Sequence, residues 1–216
     1  MNRGRVSFTF DDGCLSTHAN VFPRLRDAGI RGNLAVVTDY VGKENKYSWR
    51  QIAGMAAAGW EILSHSRTHD FRDMTPEKNR AEVVESREIL QGRGYAARIF
   101  NFPGGPWSGE TQFAPGTLFD DLVRWTYDAY LPDQGPHPLV EPLDRYNLGH
   151  LCCECYGIAK YEAPLEEVFT IVDRAAADGS WCQLLWHDVQ GAYVEKLERV
   201  IARVVPLVRA GKLANV

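Results

Sequence analysis

Short apolar segments alternate with longer amphipathic segments along almost the whole chain, and this alternation is the feature that most limits how the chain can fold. The apolar segments have the length of strands, whereas the amphipathic segments repeat their apolar residues at helical spacing. Such an alternation predicts βαβ units and a parallel sheet. The predicted strands are residues 5–10, 33–38, 61–64, 98–102, 124–131, 146–153, 181–186 and 212–216.

The segments between these strands carry helix signals. Gly29 and Gly59 end two predicted helices, and Thr75-Pro76 begins another, since threonine caps the first amides and proline fits the first helical position. The predicted helices are residues 16–28, 49–58, 75–91, a segment that begins at 164, and a segment around 194–208. Because about seven or eight strand–helix units favour a barrel over an open sheet, we expect one α/β barrel domain over residues 1–216.

The composition excludes several classes of protein. Lys and Arg total 24 and Asp and Glu total 28, so the net charge is −4 and attracts neither nucleic acid nor an anionic membrane. No apolar run is long enough for membrane insertion. Five cysteines, an odd number, argue against a secreted disulfide scaffold. The residues before the first strand are too few and too polar for a signal peptide, which predicts a cytoplasmic location unless a leader has been trimmed.

Acidic and imidazole side chains follow the ends of predicted strands, which is the edge where parallel barrels carry their active sites. Asp12, His65 and His69 offer one carboxylate and two imidazoles, a set that suits Zn²⁺ and also accepts Co²⁺, Ni²⁺ or Fe²⁺. Asp11 and Asp12 would repel each other without a cation nearby. We therefore predict one divalent ion at these three ligands, with Asp11 as a base and His187 as a proton donor.

Each of these features also has a simpler interpretation. Asp11-Asp12-Gly13 is a good turn sequence, and a pair of histidines four residues apart can arise by chance. A lone histidine such as His187, after an apolar segment, can be a hydrogen-bonded core residue. The coincidence of all of them at strand ends favours the site.

Three short motifs resemble those of the polysaccharide deacetylase family, also called the NodB-homology or carbohydrate esterase family 4 domain. Residues 9–13 (Thr-Phe-Asp-Asp-Gly) resemble its first motif, residues 65–69 (His-Ser-Arg-Thr-His) its second, and residues 185–187 (Leu-Trp-His) its last. They occur in the order of the family and span nearly the whole chain. The resemblance implies a distorted (β/α)7-type barrel of mainly parallel strands and a metal-dependent N-deacetylase.

By matched position, the resemblance implies that Asp11 is the general base and His187 the general acid, and that Leu185 lines the pocket for the acetyl methyl group. It assigns the metal to the same ligands that the strand-end argument selects. Gly104 stands where the family has the backbone amide that stabilises the oxyanion. Tryptophans near the motifs are expected to stack on sugar rings. The residues predicted to bind substrate are Pro103, Gly104, Gly105, Trp107, Leu185 and Trp186.

The sequence departs from the family in two motifs. In the third motif, at residues 100–105, Asn101 stands where many members carry an arginine that orients the catalytic aspartate. Asparagine cannot supply the positive charge of that arginine. The fourth motif has no clear match, and Trp125, Asp128 and Asp133 are its candidates.

Residues 150–155 (His-Leu-Cys-Cys-Glu-Cys) suggest a second metal site. In a continuous strand, however, His150 and Cys152 would face one way, and Cys153 and Cys155 the other. We therefore expect these thiols to be buried packing residues.

The leading hypothesis is a metal-dependent enzyme that removes acetyl groups from N-acetylated glycans or oligosaccharides and releases acetate. Its cofactor would be Zn²⁺, with Co²⁺ or Ni²⁺ as alternatives. Two other hypotheses stay open: a metal-dependent hydrolase of a small amide or cyclic imide, and a non-catalytic carbohydrate-binding barrel. A binding barrel would have no need to keep a base, three ligands and an acid together.

Overall fold

The computed structural model describes residues 3–104, 116–131, 139–140, 150–157 and 162–216. These residues form one nine-stranded sheet with helices packed against it. The strands are β1 (Gly4–Phe10), β2 (Asn33–Val36), β3 (Glu61–Ser64), β4 (Ile99–Asn101), β5 (Ala129–Leu131), β6 (Leu139–Val140), β7 (Leu151–Cys152), β8 (Trp181–Trp186) and β9 (Leu213–Asn215).

Helices alternate with the strands, and all of them except the one between β4 and β5 are predicted from the sequence. They are α1 (Phe22–Ala28), α2 (Trp49–Ala57), α3 (Pro76–Arg80), α4 (Ser86–Gln91), α5 (Leu118–Thr126), α6 (Leu165–Asp178) and α7 (Ala192–Arg209). Short π-helical segments precede α1 at Thr17–Val21 and join α3 to α4 at Ala81–Glu85, and a 3₁₀ turn lies at Thr38–Tyr40.

The order of strands in the sheet is β5-β4-β3-β2-β1-β8-β6, with β9 beside β1 and β7 beside β8. All pairs are parallel except β6 with β8. The predicted α/β fold with a mainly parallel sheet is thus confirmed. Among the described strands, pairing stops at β5 and β6, so the sheet curls without closing.

The curl of the sheet is visible in one side-chain contact. β1 and β4 are separated by β2 and β3, which would place them about 14 Å apart in a flat sheet. Nevertheless, Asn101 at the end of β4 donates a hydrogen bond to Asp11 just after β1, at 2.7 Å. The sheet must therefore bend around the carboxyl ends of its strands, as in a distorted barrel.

The central strands β1 and β8 divide the interior into two faces. The apolar face of β1 consists of Val6, Phe8 and Phe10, all fully buried in the main core. Ser7 and Thr9 are buried on the opposite face, and Asp11 continues their row because strand residues alternate. The apolar row packs against buried residues of α6 and α7, including Val172 and Leu197. The sheet therefore directs Asp11 into the curl.

One predicted strand is partly wrong. The sequence predicts a strand over residues 124–131, but α5 extends to Thr126 and β5 begins only at Ala129. The Thr117 side chain accepts a hydrogen bond from the Asp120 amide and caps the helix. Helical spacing then buries Phe119 and Val123. Of the strand predicted at 146–153, the structure describes residues 150–153, of which Leu151–Cys152 form β7, and residues 146–149 lie outside the described residues.

Within the part of the chain that the structure describes, no helix combines the length and the apolar composition needed to cross a membrane.

Gly4 offers a test of how closely α6 packs on the start of β1. A Cβ atom at Gly4 would lie 2.1 Å from the backbone carbonyl oxygen of Ala175, which cannot rotate away. We expect Gly4→Ala to lower the free energy of unfolding by about 2–3 kcal/mol, because the helix must shift. Thermal and urea denaturation measure the change.

Gly54→Ala is the matched control. Gly54 lies within α2, and a Cβ atom added there would have nothing within 4 Å. The same substitution should raise the free energy of unfolding by about 0.5–1 kcal/mol, since alanine favours the helix. Equal effects of the two substitutions would contradict the packing at Gly4.

Candidate active site

The predicted acidic and imidazole residues meet at the carboxyl ends of the strands. Asp11 follows β1, His65 follows β3, and His187 follows β8. Backbone hydrogen bonds between strands keep these residues at the same edge of the sheet, since the Asp11 amide donates to the Trp186 carbonyl at 2.9 Å. The His65 amide likewise donates to the carbonyl of Val36, at the end of β2, at 3.0 Å.

Asp12, His65 and His69 form a compact set of metal donors. Asp12 Oδ1 lies 3.3 Å from His65 Nε2 and 3.1 Å from His69 Nε2. One donor atom from each residue lies within 4.8 Å of the other two. Asp12 Oδ1 is buried and makes no hydrogen bond of acceptable geometry. A buried carboxylate oxygen that faces two imidazole nitrogens fits a divalent cation.

Backbone geometry brings both aspartates to one pocket. Strand alternation alone would turn Asp12 away from Asp11. Instead, Asp12 adopts a positive φ of 63°, which an aspartate tolerates better than most side chains. Ser66 and His69 also have positive φ, at 66° and 60°. This concentration of strained residues is typical of functional sites.

The loop that carries both histidines is anchored by a buried carboxylate. Glu82 Oε2 accepts hydrogen bonds from the amides of Arg67 and Thr68, at 3.0 and 2.8 Å. The Ser66 hydroxyl accepts from the His69 amide at 3.0 Å. Glu82 is 1% exposed, so its carboxylate lies beneath the loop and holds the loop backbone in one conformation.

Asn101 positions both a ligand and the predicted base. Its carbonyl accepts a hydrogen bond from His65 Nδ1 at 2.8 Å, which leaves Nε2 directed at Asp12. Its side-chain amide donates to Asp11 Oδ1 at 2.7 Å. Asn101 thus orients Asp11 with a neutral hydrogen-bond donor.

The electrostatics of the set are dominated by burial and by neighbouring opposite charges. Burial raises the pKa of Asp11, although His65 and His187 partly offset the effect. Burial also acts to raise the pKa of Asp12, but the imidazoles of His65 and His69 lower it well below its usual range. Burial acts to lower the pKa of His65, yet the two aspartates raise it to about 9.

His187 is held by a buried glutamate that the sequence analysis missed. His187 Nδ1 donates to the Glu154 carbonyl at 2.7 Å. The Glu154 carboxylate accepts from the amides of His187 and Asp188, at 2.9 and 2.6 Å. Burial acts to lower the pKa of His187, but Asp11 and Asp12 outweigh it and raise the pKa. A raised pKa favours the protonated imidazole, which is the form that a proton donor requires.

Tyr156 is a second residue that sequence reasoning missed. Its hydroxyl donates to Asp12 Oδ2 at 2.6 Å, and its ring packs on His187 with centroids 5.0 Å apart. Glu154 had a detectable signal, namely a charged residue in an apolar, cysteine-rich segment. Tyr156 had none, because 144 residues separate it from Asp12.

The two candidates for the fourth motif that the structure describes, Trp125 and Asp128, do not lie at this site. Trp125 is 76% exposed, and Asp128 is exposed and pairs with Arg98 at 3.7 Å. Asp133 lies outside the described residues. The carboxylate beside His187 is instead Glu154, whose Oε2 lies 4.0 Å from Nδ1.

The predicted substrate-binding residues divide into three groups. Trp186 is fully buried in the main core, so the prediction that it contacts substrate is wrong. Leu185 points to the opposite face of β8 and is 6% exposed. Pro103 is buried and Gly104 half-buried just after β4. Gly105 and Trp107 lie outside the described residues.

The cysteine-rich segment also differs from expectation. The strand there covers only Leu151–Cys152, so alternation no longer separates Cys152 from Cys155. The chain turns after Cys152 and brings both thiols near His187, with one donor atom from each of the three within 4.8 Å of the others.

A cleft of about 520 Å³ opens beside Tyr156. Cys14 lines it and lies 3.4 Å from the Tyr156 hydroxyl, which makes this thiol a neighbour of the metal donors and not one of them. Polar side chains on its walls include Asn20, Asn45, Lys46, Asp188 and Gln190.

Comparison with known proteins gives the family of this chain. The family described as polysaccharide deacetylase matches residues 1–115, more than half of the 216 residues. A Bacillus subtilis protein, YxkH, which carries the name polysaccharide deacetylase, is 26% identical over 137 residues. That match spans 62% of this chain and 49% of the relative, so the chain covers about half the length of this curated protein.

Two solved structures share the fold. A family 4 carbohydrate esterase from Streptomyces lividans, in complex with acetate, has a TM-score of 0.64 at 16% identity, covering 100% of this chain and 93% of that one. A family 4 acetyl xylan esterase from Clostridium thermocellum, in complex with a cobalt ion, has a TM-score of 0.60 at 19% identity, covering 98% and 86%. With the family match over more than half of its sequence, the chain belongs to the polysaccharide deacetylase family.

Proposed function

We propose that this protein is a metal-dependent N-deacetylase that hydrolyses acetamido groups of N-acetylated glycans or oligosaccharides and releases acetate. The observation that carries the proposal is the meeting of three metal donors with a buried carboxylate and an imidazole at one strand-end pocket. Membership of the polysaccharide deacetylase family supports the reaction class.

Asp12, His65 and His69 would hold the ion, with Zn²⁺ preferred and Co²⁺ or Ni²⁺ as alternatives. When bound, a divalent ion supplies Lewis acidity, which polarises a carbonyl group and lowers the pKa of water. Hydrogen bonds within the protein orient these ligands before an ion binds. The Asn101 carbonyl accepts a hydrogen bond from His65 Nδ1, which leaves Nε2 free to face Asp12. The Tyr156 hydroxyl donates to Asp12 Oδ2, so that Oδ1 faces the two histidines.

Asp11 and His187 would perform the two proton transfers. Asp11 takes a proton from the attacking water, and the Asn101 amide holds its carboxylate in place for this step. His187 gives a proton to the departing amine. Its Nδ1 donates to the Glu154 carbonyl, so the other ring nitrogen, Nε2, points away from that carbonyl. The Gly104 amide is proposed to stabilise the oxyanion.

Acetate release tests the proposed reaction. The purified protein, supplied with zinc or cobalt, is incubated with fragments of chitin, peptidoglycan and poly-N-acetylglucosamine, and free acetate is measured. We expect acetate from at least one glycan. Ring opening of a cyclic imide without acetate release would favour the small-amide hydrolase, and glycan binding without turnover would favour a binding barrel.

Asp11→Asn tests the base. The substitution preserves the size of the side chain and leaves the three metal donors untouched. We expect turnover to fall about 10²- to 10⁴-fold, because the amide cannot accept the proton. Elemental analysis should find the same metal content as in the wild type. Asp128→Asn, which changes an exposed aspartate, is the matched control and should keep its activity. Activity retained by Asp11→Asn would show that another group is the base.

Tyr156→Phe tests the support of the metal ligand. It removes the hydrogen bond to Asp12 Oδ2 but keeps the ring that packs on His187. We expect the affinity for Zn²⁺ to fall about 10- to 100-fold, the usual effect of losing a partner of a metal ligand. Competition with a chromogenic chelator measures it.

Tyr193→Phe is the control for the tyrosine substitution. It also removes a hydrogen bond from a hydroxyl to a carboxylate, that of Glu162, at 2.9 Å. Its zinc affinity should match the wild type. If Tyr156→Phe binds zinc as tightly as Tyr193→Phe does, Tyr156 does not support the metal donors.

A further inference from the structure

Just beyond the end of β7, one backbone carbonyl oxygen accepts hydrogen bonds from both a thiol and an imidazole. The Glu154 carbonyl accepts from Cys152 Sγ at 3.2 Å and from His187 Nδ1 at 2.7 Å. The chain turns at this point, so Cys155 also approaches the pair. One donor atom from each of Cys152, Cys155 and His187 lies within 4.8 Å of the other two.

The chemistry of this cluster differs from that of the Asp12 set. Two sulfur donors and one imidazole are soft ligands, whereas a carboxylate and two imidazoles are harder. Cys152 and Cys155 are free thiols, and all three side chains are half-buried, so an ion from solvent can reach them. None of the metal ligands proposed for the deacetylase belongs to this cluster.

We propose that Cys152, Cys155 and His187 form a second metal site, which binds a thiophilic ion such as Zn²⁺ and withdraws His187 from proton transfer when it is filled. The binding of the ion is independent of the function proposed above. The effect on activity rests on the role proposed there for His187.

The geometry needs little adjustment to hold an ion. Tetrahedral zinc with two sulfurs and one nitrogen at its usual bond lengths keeps its donors about 3.5–3.8 Å apart. Donors that already lie within 4.8 Å of one another need to close by no more than about 1.0–1.3 Å. The fourth position stays open for water or another ligand, as in zinc sites with two cysteines and one histidine.

The charge balance of the filled cluster also fits a divalent ion. Two bound thiolates would balance the charge of a divalent ion, so the filled site adds no net charge beside the carboxylate of Glu154. An imidazole with one ring nitrogen on the ion is no longer an imidazolium. It lacks the positive charge that lets the other ring nitrogen give up its proton, so the filled site would stop the acid step.

Cadmium titration tests the site directly. Protein carrying one equivalent of Zn²⁺ and kept reduced with a phosphine is titrated with Cd²⁺, and thiolate-to-cadmium charge-transfer absorption is recorded in the ultraviolet. We expect the band to saturate at one equivalent of cadmium in the wild type. Cadmium that merely replaces zinc at Asp12, His65 and His69 gives no such band, because that set contains no sulfur. Absence of the band in the wild type would overturn the proposal.

Two variants test whether the cadmium absorption band comes from Cys152 and Cys155. The double substitution Cys152→Ser and Cys155→Ser should abolish it, while Cys153→Ala should keep it. Cys153 lies between the two ligands in sequence, but it is fully buried and contacts the Leu151 carbonyl. A band that persists in the double variant would place the cadmium elsewhere and overturn the proposal.

Zinc inhibition tests the consequence for His187. In the wild type, zinc added beyond the first equivalent should lower acetate release at least tenfold, and the double variant should not show this inhibition. If no glycan is deacetylated under any condition, the proposed function fails while the cadmium band still decides the site. If the band appears but zinc inhibits both proteins equally, the ion binds without controlling His187.

Discussion

Two adjacent carboxylates are buried at the end of β1, and much of the surrounding structure stabilises their charge. Asp11 is 3% exposed and Asp12 is 8% exposed. Removing both from water is costly unless opposite charges and hydrogen-bond donors replace it. Asn101 donates to Asp11, and Tyr156 donates to the outer oxygen of Asp12. The remaining oxygen of Asp12 faces His65 and His69, where the proposed cation would complete the balance.

Two buried glutamates give the loops of the site their shape. Glu82 accepts from backbone amides in the loop between the two histidines, and Glu154 accepts from those that follow β8. Each replaces the regular hydrogen bonds that the chain loses when it leaves a strand. The positive φ of Ser66 and His69 is tolerated because the contacts of Glu82 hold their loop in one conformation.

Several parts of the fold and site could be predicted because their signals are local. Alternating periodicity identified the parallel sheet, and short motifs at strand ends identified Asp12, His65 and His69, which the structure brings together. The helix α5 was missed because aromatic and β-branched residues at 124–131 resemble a strand, and packing of Phe119 and Val123 overrides that preference. Trp186 lies next to His187 in sequence, but strand alternation turns its side chain into the core and away from the site.

The sequence by itself determined the order of strands and helices, the chemical types of the site residues and the motifs of the family, since each depends on spacing along a few residues. The tertiary structure decided which distant side chains support that chemistry. Glu154 and Tyr156 reach the site only because β7 pairs with β8 and the chain turns after Cys152. The same turn gathers two thiols beside His187. The length of a strand and the curl of a sheet are set by packing over the whole domain. They cannot be predicted from the spacing of apolar residues within one segment.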